Sequence, residues 1–223
     1  MICSLSHSEL ANYISRQLNH FFPDGTAVSA LQIKKICPEA LKRLGVSISA
    51  TVNTNKYFWQ HGQPWFDHLN SDQYAMFLYL LARVAGEDTS AKSKKVATKI
   101  FLLNKALHAL DVYFEIKLPE IFLFAHPIGT VLGRADYGNY FMVMQNCTVG
   151  NIDSRYPVIG EKAMLCSGSS VLGHSVLKDA VCVGAGSLLI NAQVPANSTV
   201  VGRGKELRIL RNHPARWSNY FKS

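Results

Sequence analysis

At 223 residues the chain has room for one or two domains, and a 48% hydrophobic share beside 17% charged residues is that of a globular protein with a sizeable core. No apolar run is long enough to span a bilayer, and the opening Met1-Ile2-Cys3-Ser4-Leu5-Ser6-His7 has neither the basic start nor the apolar core of a secretion signal. The net charge of +8 comes without a nucleic-acid recognition motif, and the five scattered cysteines have no C-x-x-C spacing, so the expectation is a cytoplasmic chain with buried thiols, no metal site, no membrane span and no nucleic-acid partner.

The first 110 residues read as helical. Leu10, Tyr13, Ile14, Gln17, Leu18 and Phe21 recur at i, i+3, i+4 spacing and predict a helix capped by Ser6 or Ser8. A second helix is predicted from about Ser29 to Leu44, stopped by Gly45. A third starts at the capping pair Ser71-Asp72 and runs through Tyr74, Phe77, Leu78 and Leu81 to Gly86, where Gly86-Glu87-Asp88-Thr89-Ser90 makes a loop. A fourth takes Val96, Ile100, Leu103, Leu107 and Leu110. Val112 to Phe124 then turns β-rich and predicts short strands broken at Pro119.

From there the chain keeps a six-residue beat. Ile159, Leu165, Val171, Leu177, Val183 and Leu189 are each six apart, with small residues four positions after most of them (Ala163, Ser169, Ser175, Ser187), and Val131, Tyr137, Val143 and Val149 keep the same interval. Six is neither the period of a helix nor that of an ordinary strand. It predicts a left-handed parallel β-helix, a prism with one aliphatic residue per face pointing inward, and a C3 trimer formed through it. Between Val149 and Ile159 the interval is four residues too long, so a loop within Gly150 to Pro157 must leave the prism, carrying Asp153, Arg155 and Tyr156. Pro195 and Gly202-Arg203-Gly204 close the last coil. The domain reading is 1–110 helical, 111–205 β-helix, and 206–223 a basic tail with one short helix holding Leu207, Leu210 and Trp217.

Eight histidines are present, and one has a context. His126 opens His126-Pro127-Ile128-Gly129-Thr130-Val131-Leu132-Gly133, and Asp111 stands fifteen residues before it. With Gln145-Asn146-Cys147-Thr148-Val149-Gly150, Arg155-Tyr156-Pro157 and Gly184-Ala185-Gly186-Ser187, this run resembles the serine acetyltransferases of the hexapeptide-repeat superfamily over roughly residues 100 to 203. The ungapped match is preferred to one that lays Asp136-Tyr137 on the motif, which needs a deletion and loses the histidine.

The resemblance implies an acetyl-CoA-dependent O-acetyltransferase in which His126 is the general base and Asp111 orients and charge-balances it. The chemistry agrees: a hydroxyl attacking a thioester must lose its proton, and a neutral imidazole suits that task near neutral pH. Stacking of neighbouring coils, about 4.8 Å apart, is expected to bring the two together. Pantetheine is expected at Ser167, Gly184 and Ala185, between two subunits, with its phosphates toward Arg203 and Lys205. Arg155 survives of the family's acceptor contacts, while Ala125 and Tyr156 replace an Asp and a His of the family pattern; Asp67 is a further acceptor candidate from the helical half. These departures leave the acceptor open between serine and a sugar hydroxyl, with a bulkier acceptor than serine expected. An amino-sugar N-acetyltransferase of surface-polysaccharide synthesis and a non-catalytic hexapeptide scaffold are the other readings. A homotrimer is expected, with a higher oligomer through the helical domain as an option.

Overall fold

The computed structural model describes residues 1–52, 57–214 and 216–222. The chain divides into two compact units, Met1–His108 and Ala109–Ser223.

Among the described residues the first unit holds four helices. α1 (His7–Phe21) is started by Ser6, whose hydroxyl accepts from the Glu9 amide while the Glu9 carboxylate accepts from the Ser6 amide, a reciprocal capping box. α2 (Ala30–Ser49) begins with the same device at Ser29 and Gln32, and it does not stop at Gly45. The buried stripe Ile33, Cys37, Ala40, Leu41, Leu44 continues through Ser47 and Ile48, so packing overrides the glycine stop signal. α3 (Ser71–Glu87) is capped by Asn70, one residue ahead of the expected pair, because the Asn70 carboxamide reaches the amides of Asp72 and Gln73. It passes through Gly86 and is buried almost all round, as the central helix of the unit must be. α4 (Ala91–His108) stops two residues short of Leu110, where Ala109 turns to φ +50°. Lys99 of α4 is buried, and its ammonium bonds Asp24 Oδ1 and the Thr26 carbonyl, both at 2.7 Å, tying the α1–α2 connection down. A small sheet of Ile2–Cys3, Gln63–Phe66 and Trp59–Gln60, which the helical pattern hides, completes the unit. No helix among the described residues is long and apolar enough to cross a membrane.

The second unit is the parallel β-solenoid that the hexad beat predicts. Face I stacks Phe122–Phe124, Phe141–Val143, Met164–Leu165, Cys182–Val183 and Ser198–Val201. Face II stacks Val131–Leu132, Thr148–Gly150, Ser170–Leu172 and Leu188–Ile190; face III stacks Asp136–Tyr137, Val158–Ile159, Val176–Leu177 and Gln193–Val194. Val143, Val149, Ile159, Leu165, Val171, Leu177, Val183 and Leu189 all point inward and are at most 2% exposed. The small positions are corner seats. Ser175 donates to Leu172 O and accepts from the Ala192 amide of the next coil, so each hydroxyl joins two coils.

Three expectations are corrected. Val131 is 42% exposed and Leu132 takes the inward place, paired with Val149, because the preceding corner (125–130) is two residues longer than its successor (144–147). Residues 112–121 form no strands; Asp111 before them makes a single parallel bridge to Val131, and of the stretch 112–124 only Phe122–Phe124 pairs as a strand. The tail holds a strand where Leu207 and Leu210 were expected in a helix, and only Trp217–Asn219 is helical, as one short 3-10 turn: Arg208–Arg211 pairs antiparallel with Ser198–Val201, satisfying the open edge of face I. It then crosses face I to Phe221, which is fully buried beside Tyr140. The ejected loop is where the beat placed it, a two-residue hairpin turn with Ile152 bridged to Arg155 and positive φ at Asp153 and Ser154.

Two measurements check this packing. Leu177→Ala should lower unfolding free energy by about 2–5 kcal/mol in a urea titration, with the circular dichroism of the remaining folded state unchanged. Lys99 holds the Asp24 carboxyl down at about 2, first through its hydrogen bond and then with help from the Thr26 amide. A depressed carboxylate stabilises the fold above its ordinary value, and that contribution is lost as pH falls through about 4 to 2. The melting temperature of wild type minus that of Asp24→Asn should therefore shrink across that window and stay flat above pH 5.

Candidate active site

The corner between faces I and II forms one continuous edge. Asn146 N donates to Ile128 O at 2.9 Å, Gly168 N to Gln145 O at 2.9 Å, and Gly186 N to Ser167 O at 2.9 Å. These bonds stack Ile128, Gln145, Ser167 and Ala185 in a column, with Gly129, Asn146, Gly168 and Gly186 beside it, all four of positive φ. Arg203 extends the edge by one coil, its Nε donating to Gly186 O at 2.7 Å. At about 4.8 Å per coil the edge runs about 14 Å from the first corner to the fourth and about 19 Å to Arg203. Thus Ser167, Gly184, Ala185 and Arg203 share one edge, with Ala185, Arg203 and Lys205 exposed. Gly184 lets the coils close: a Cβ there would stand 2.8 Å from Val201 Cγ1.

His126 lies at the head of this edge, exposed, inside the two-residue excess of the first corner. It adopts φ +52°, and its carbonyl accepts from Ile128 N at 2.8 Å. The repeated turn of that corner is served by Gly129, so His126 is a second left-handed residue in one corner, an uncommon conformation for a non-glycine residue. Asp111 does not stack on His126. Its amide donates to Thr130 O and its carbonyl accepts from Leu132 N, which sets it against Val131, five residues further on. The long corner is again the reason. The segment Ala109–Asp111 nevertheless runs along the corner, with Ala109 O accepting from Gly129 N at 3.0 Å.

The acceptor candidates are elsewhere. Arg155 and Tyr156 lie in the loop between faces II and III, Arg155 exposed and Tyr156 half-buried. Tyr156 has a partner the sequence reading missed: the Arg134 guanidinium sits 5.2 Å from its ring centroid, from the corresponding corner one coil earlier. Arg134 also lines a cavity of about 570 Å³ with Tyr113, Glu115, Lys117, Asp136 and Tyr137. Only the placement of a cation one coil before Tyr156 signals this pairing. Asp67 belongs to the helical unit, where its carboxylate accepts from Leu69 N at 2.9 Å and stands 3.7 Å from His68 Nδ1. It serves its own turn ahead of α3. Among the described residues no three His, Cys, Asp or Glu side chains converge as a metal site.

The chain is therefore a hexapeptide-repeat solenoid with a helical unit before it. Its relatives are specific. It is 33% identical over 131 residues to a serine acetyltransferase of Bacillus subtilis and 29% identical over 131 residues to that of Bacillus licheniformis. Each match covers 53% of this chain and 60% of the relative, so the chain spans less than two thirds of their length. Among solved structures it resembles the serine acetyltransferase of Brucella abortus, with a TM-score of 0.70 and 22% identity over 92% of this chain and 83% of that one. A serine acetyltransferase in complex with CoA gives 0.69 and 19% over 90% and 83%, and that of Neisseria gonorrhoeae in complex with serine gives 0.69 and 19% over 93% and 84%. These structures share the fold. No protein-family model matches the chain.

Gly129 and Gly133 of the motif have a packing role. A Cβ on Gly129 would lie 2.2 Å from Asn146 Oδ1 at φ +74°, and one on Gly133 would lie 2.8 Å from Val149 O. Gly129→Ala should accordingly destabilise the protein by about 1–3 kcal/mol, whereas Gly25→Ala, with φ +75° and open space, should cost less. Equal midpoints in denaturant for the two variants would contradict this packing.

Proposed function

We propose that this chain is an acetyl-CoA-dependent O-acetyltransferase of the serine acetyltransferase type, acting on a small hydroxyl acceptor. The observation that carries the reading is the straight edge from His126 to Arg203. Its span of about 19 Å suits an extended pantetheine arm, with Ser167, Gly184 and Ala185 along it and a cation at its far end. The serine acetyltransferase relatives, and the CoA and serine complexes among the solved structures of the same fold, support acetyl-CoA as co-substrate and serine as acceptor.

In this reading His126 takes the proton of the acceptor hydroxyl as the oxygen attacks the thioester carbonyl, and the thiolate of CoA leaves. His126 stands exposed at the head of the edge, where the thioester end of the arm would lie. Asp111, held along that corner by its backbone, orients the ring and offsets its charge. Ser167, Gly184 and Ala185 hold the arm; Arg203 and Lys205 meet the phosphates. Arg155 binds the acceptor carboxylate at two points.

The acceptor edge and the His126 edge are different corners of one prism, separated by face II. A second copy that lays its II–III corner against the first copy's I–II corner would join Arg155 and Tyr156 to His126. A closed ring of three such contacts is the trimer proposed here. The stacking of Arg134 on Tyr156 favours serine over a sugar: a ring face already covered by a guanidinium is not open to a sugar ring.

The test is CoA release from acetyl-CoA with L-serine, free sugars or nucleotide sugars as acceptor. Serine should be used fastest, and His126→Ala should lower kcat by about 10²–10⁴ with little change in the KM for acetyl-CoA. Replacing Arg203 and Lys205 together by alanine should raise that KM, with the effect shrinking at high salt. Arg155→Ala should raise the serine KM, and Arg155→Lys should not restore it. Near-normal turnover in His126→Ala would remove the base. CoA binding without release to any acceptor would leave a scaffold in place of an enzyme.

A further inference from the structure

The outer side of face I carries a patch of sulfur side chains, four of which line one cavity. Met164 is in register with Cys182, and Leu165 with Val183, on neighbouring coils. Met164 is likewise in register with Met142, and Leu165 with Val143, which sets Cys166 one coil above Met144. Residues two apart on a strand share a side, so Met144, Met164, Cys166 and Cys182 lie together. The Cys166 and Cys182 sulfurs are 3.6 Å apart. All four line a cavity of about 610 Å³, whose other wall is the returning C-terminal segment with His213, Arg216 and Tyr220. Met144 and Cys166 open I–II corners, and Met144 Sδ accepts from Ser167 Oγ at 3.8 Å, but none of the four sulfurs is used by the proposed reaction.

We propose that Cys166 and Cys182, supported by the thioethers of Met144 and Met164, form a binding site for one soft monovalent cation of the Cu(I) class beneath the C-terminal segment. The register decides against the obvious rival, a disulfide. The two cysteines are diagonal neighbours, and diagonal pairs on adjacent strands have Cα atoms roughly 7–8 Å apart. A disulfide needs about 4.4–6.8 Å. Two metal–sulfur bonds of about 2.3 Å span roughly 3.8–4.6 Å between the sulfurs, a small opening from the distance seen. Zinc is disfavoured because no three His, Cys, Asp or Glu side chains converge among the described residues. Thiolate and thioether ligands select Cu(I).

Binding releases both thiol protons to solvent and leaves a bis-thiolate complex of net charge −1, beside the Arg216 of the cavity wall.

The experiment is an anaerobic titration of the full chain with Cu(I), buffered by a chromophoric Cu(I) chelator that competes for the ion. One ion per chain should be taken up. Cys166→Ser and Cys182→Ser should each weaken uptake by about 10²-fold or more, Met164→Leu by about tenfold, and Cys3→Ser not at all. If either serine variant fails to fold, alkylation of the half-buried Cys166 and Cys182 thiols of the native chain replaces it and should abolish uptake. No uptake by folded wild type, or unchanged uptake in Cys182→Ser, overturns the site. So does quantitative formation of a Cys166–Cys182 disulfide on mild thiol oxidation, read as a loss of two hydrogen masses in the linking peptide, since the register excludes it.

Discussion

The structure of the second unit depends on backbone bonding between coils. Each turn of the solenoid gives its amides to the carbonyls of a neighbouring coil, as in Val158 N to Ser175 O and Gly184 N to Val200 O. No coil satisfies its own backbone, so each is stable only against its neighbours. The inward aliphatic at every sixth position fills the prism, and a corner hydroxyl or glycine lets the chain turn without opening a void. The same bonding keeps the corners in straight columns. A rigid edge about 19 Å long follows from repetition, with no special sequence needed beyond small residues where the coils must close.

The candidate base and the candidate acceptor contacts sit at departures from the repeat. The first corner is two residues longer than the next, and His126 occupies that excess with a left-handed backbone. The second departure is the hairpin turn at Asp153-Ser154, which ejects Arg155 and Tyr156. These two departures lie on different edges of the prism. A single copy holds the candidate base and the candidate acceptor contacts apart, which is why the proposed function needs a neighbour.

Much of this was legible in the sequence because the solenoid imposes one rule on each residue. The hexad beat specified which aliphatics face inward from Val143 to Leu189, and the excess between Val149 and Ile159 located the loop. The beat failed at Val131 because a longer corner shifts the register, and no local pattern reports corner length. It failed in the tail because Arg208–Arg211 forms a strand only where the last coil offers an open edge. In the helical half, Gly45 and Gly86 carry stop signals that burial overrides. Ser167, Gly184, Ala185 and Arg203 share one edge of the prism. Asp111 stacks on Val131, a consequence of the same corner length, and Arg134 was invisible because its meaning depends on a ring one coil away.

The central claim is that the I–II edge holds CoA along its length. Hydrogen–deuterium exchange with and without CoA measures this directly, by asking which amides are slowed. The corners containing 126–130, 145–146, 167–168 and 185–186, with 203–205, should be protected together. Protection confined to the cavity around Tyr113, Lys117 and Asp136, with the edge unchanged, would contradict it.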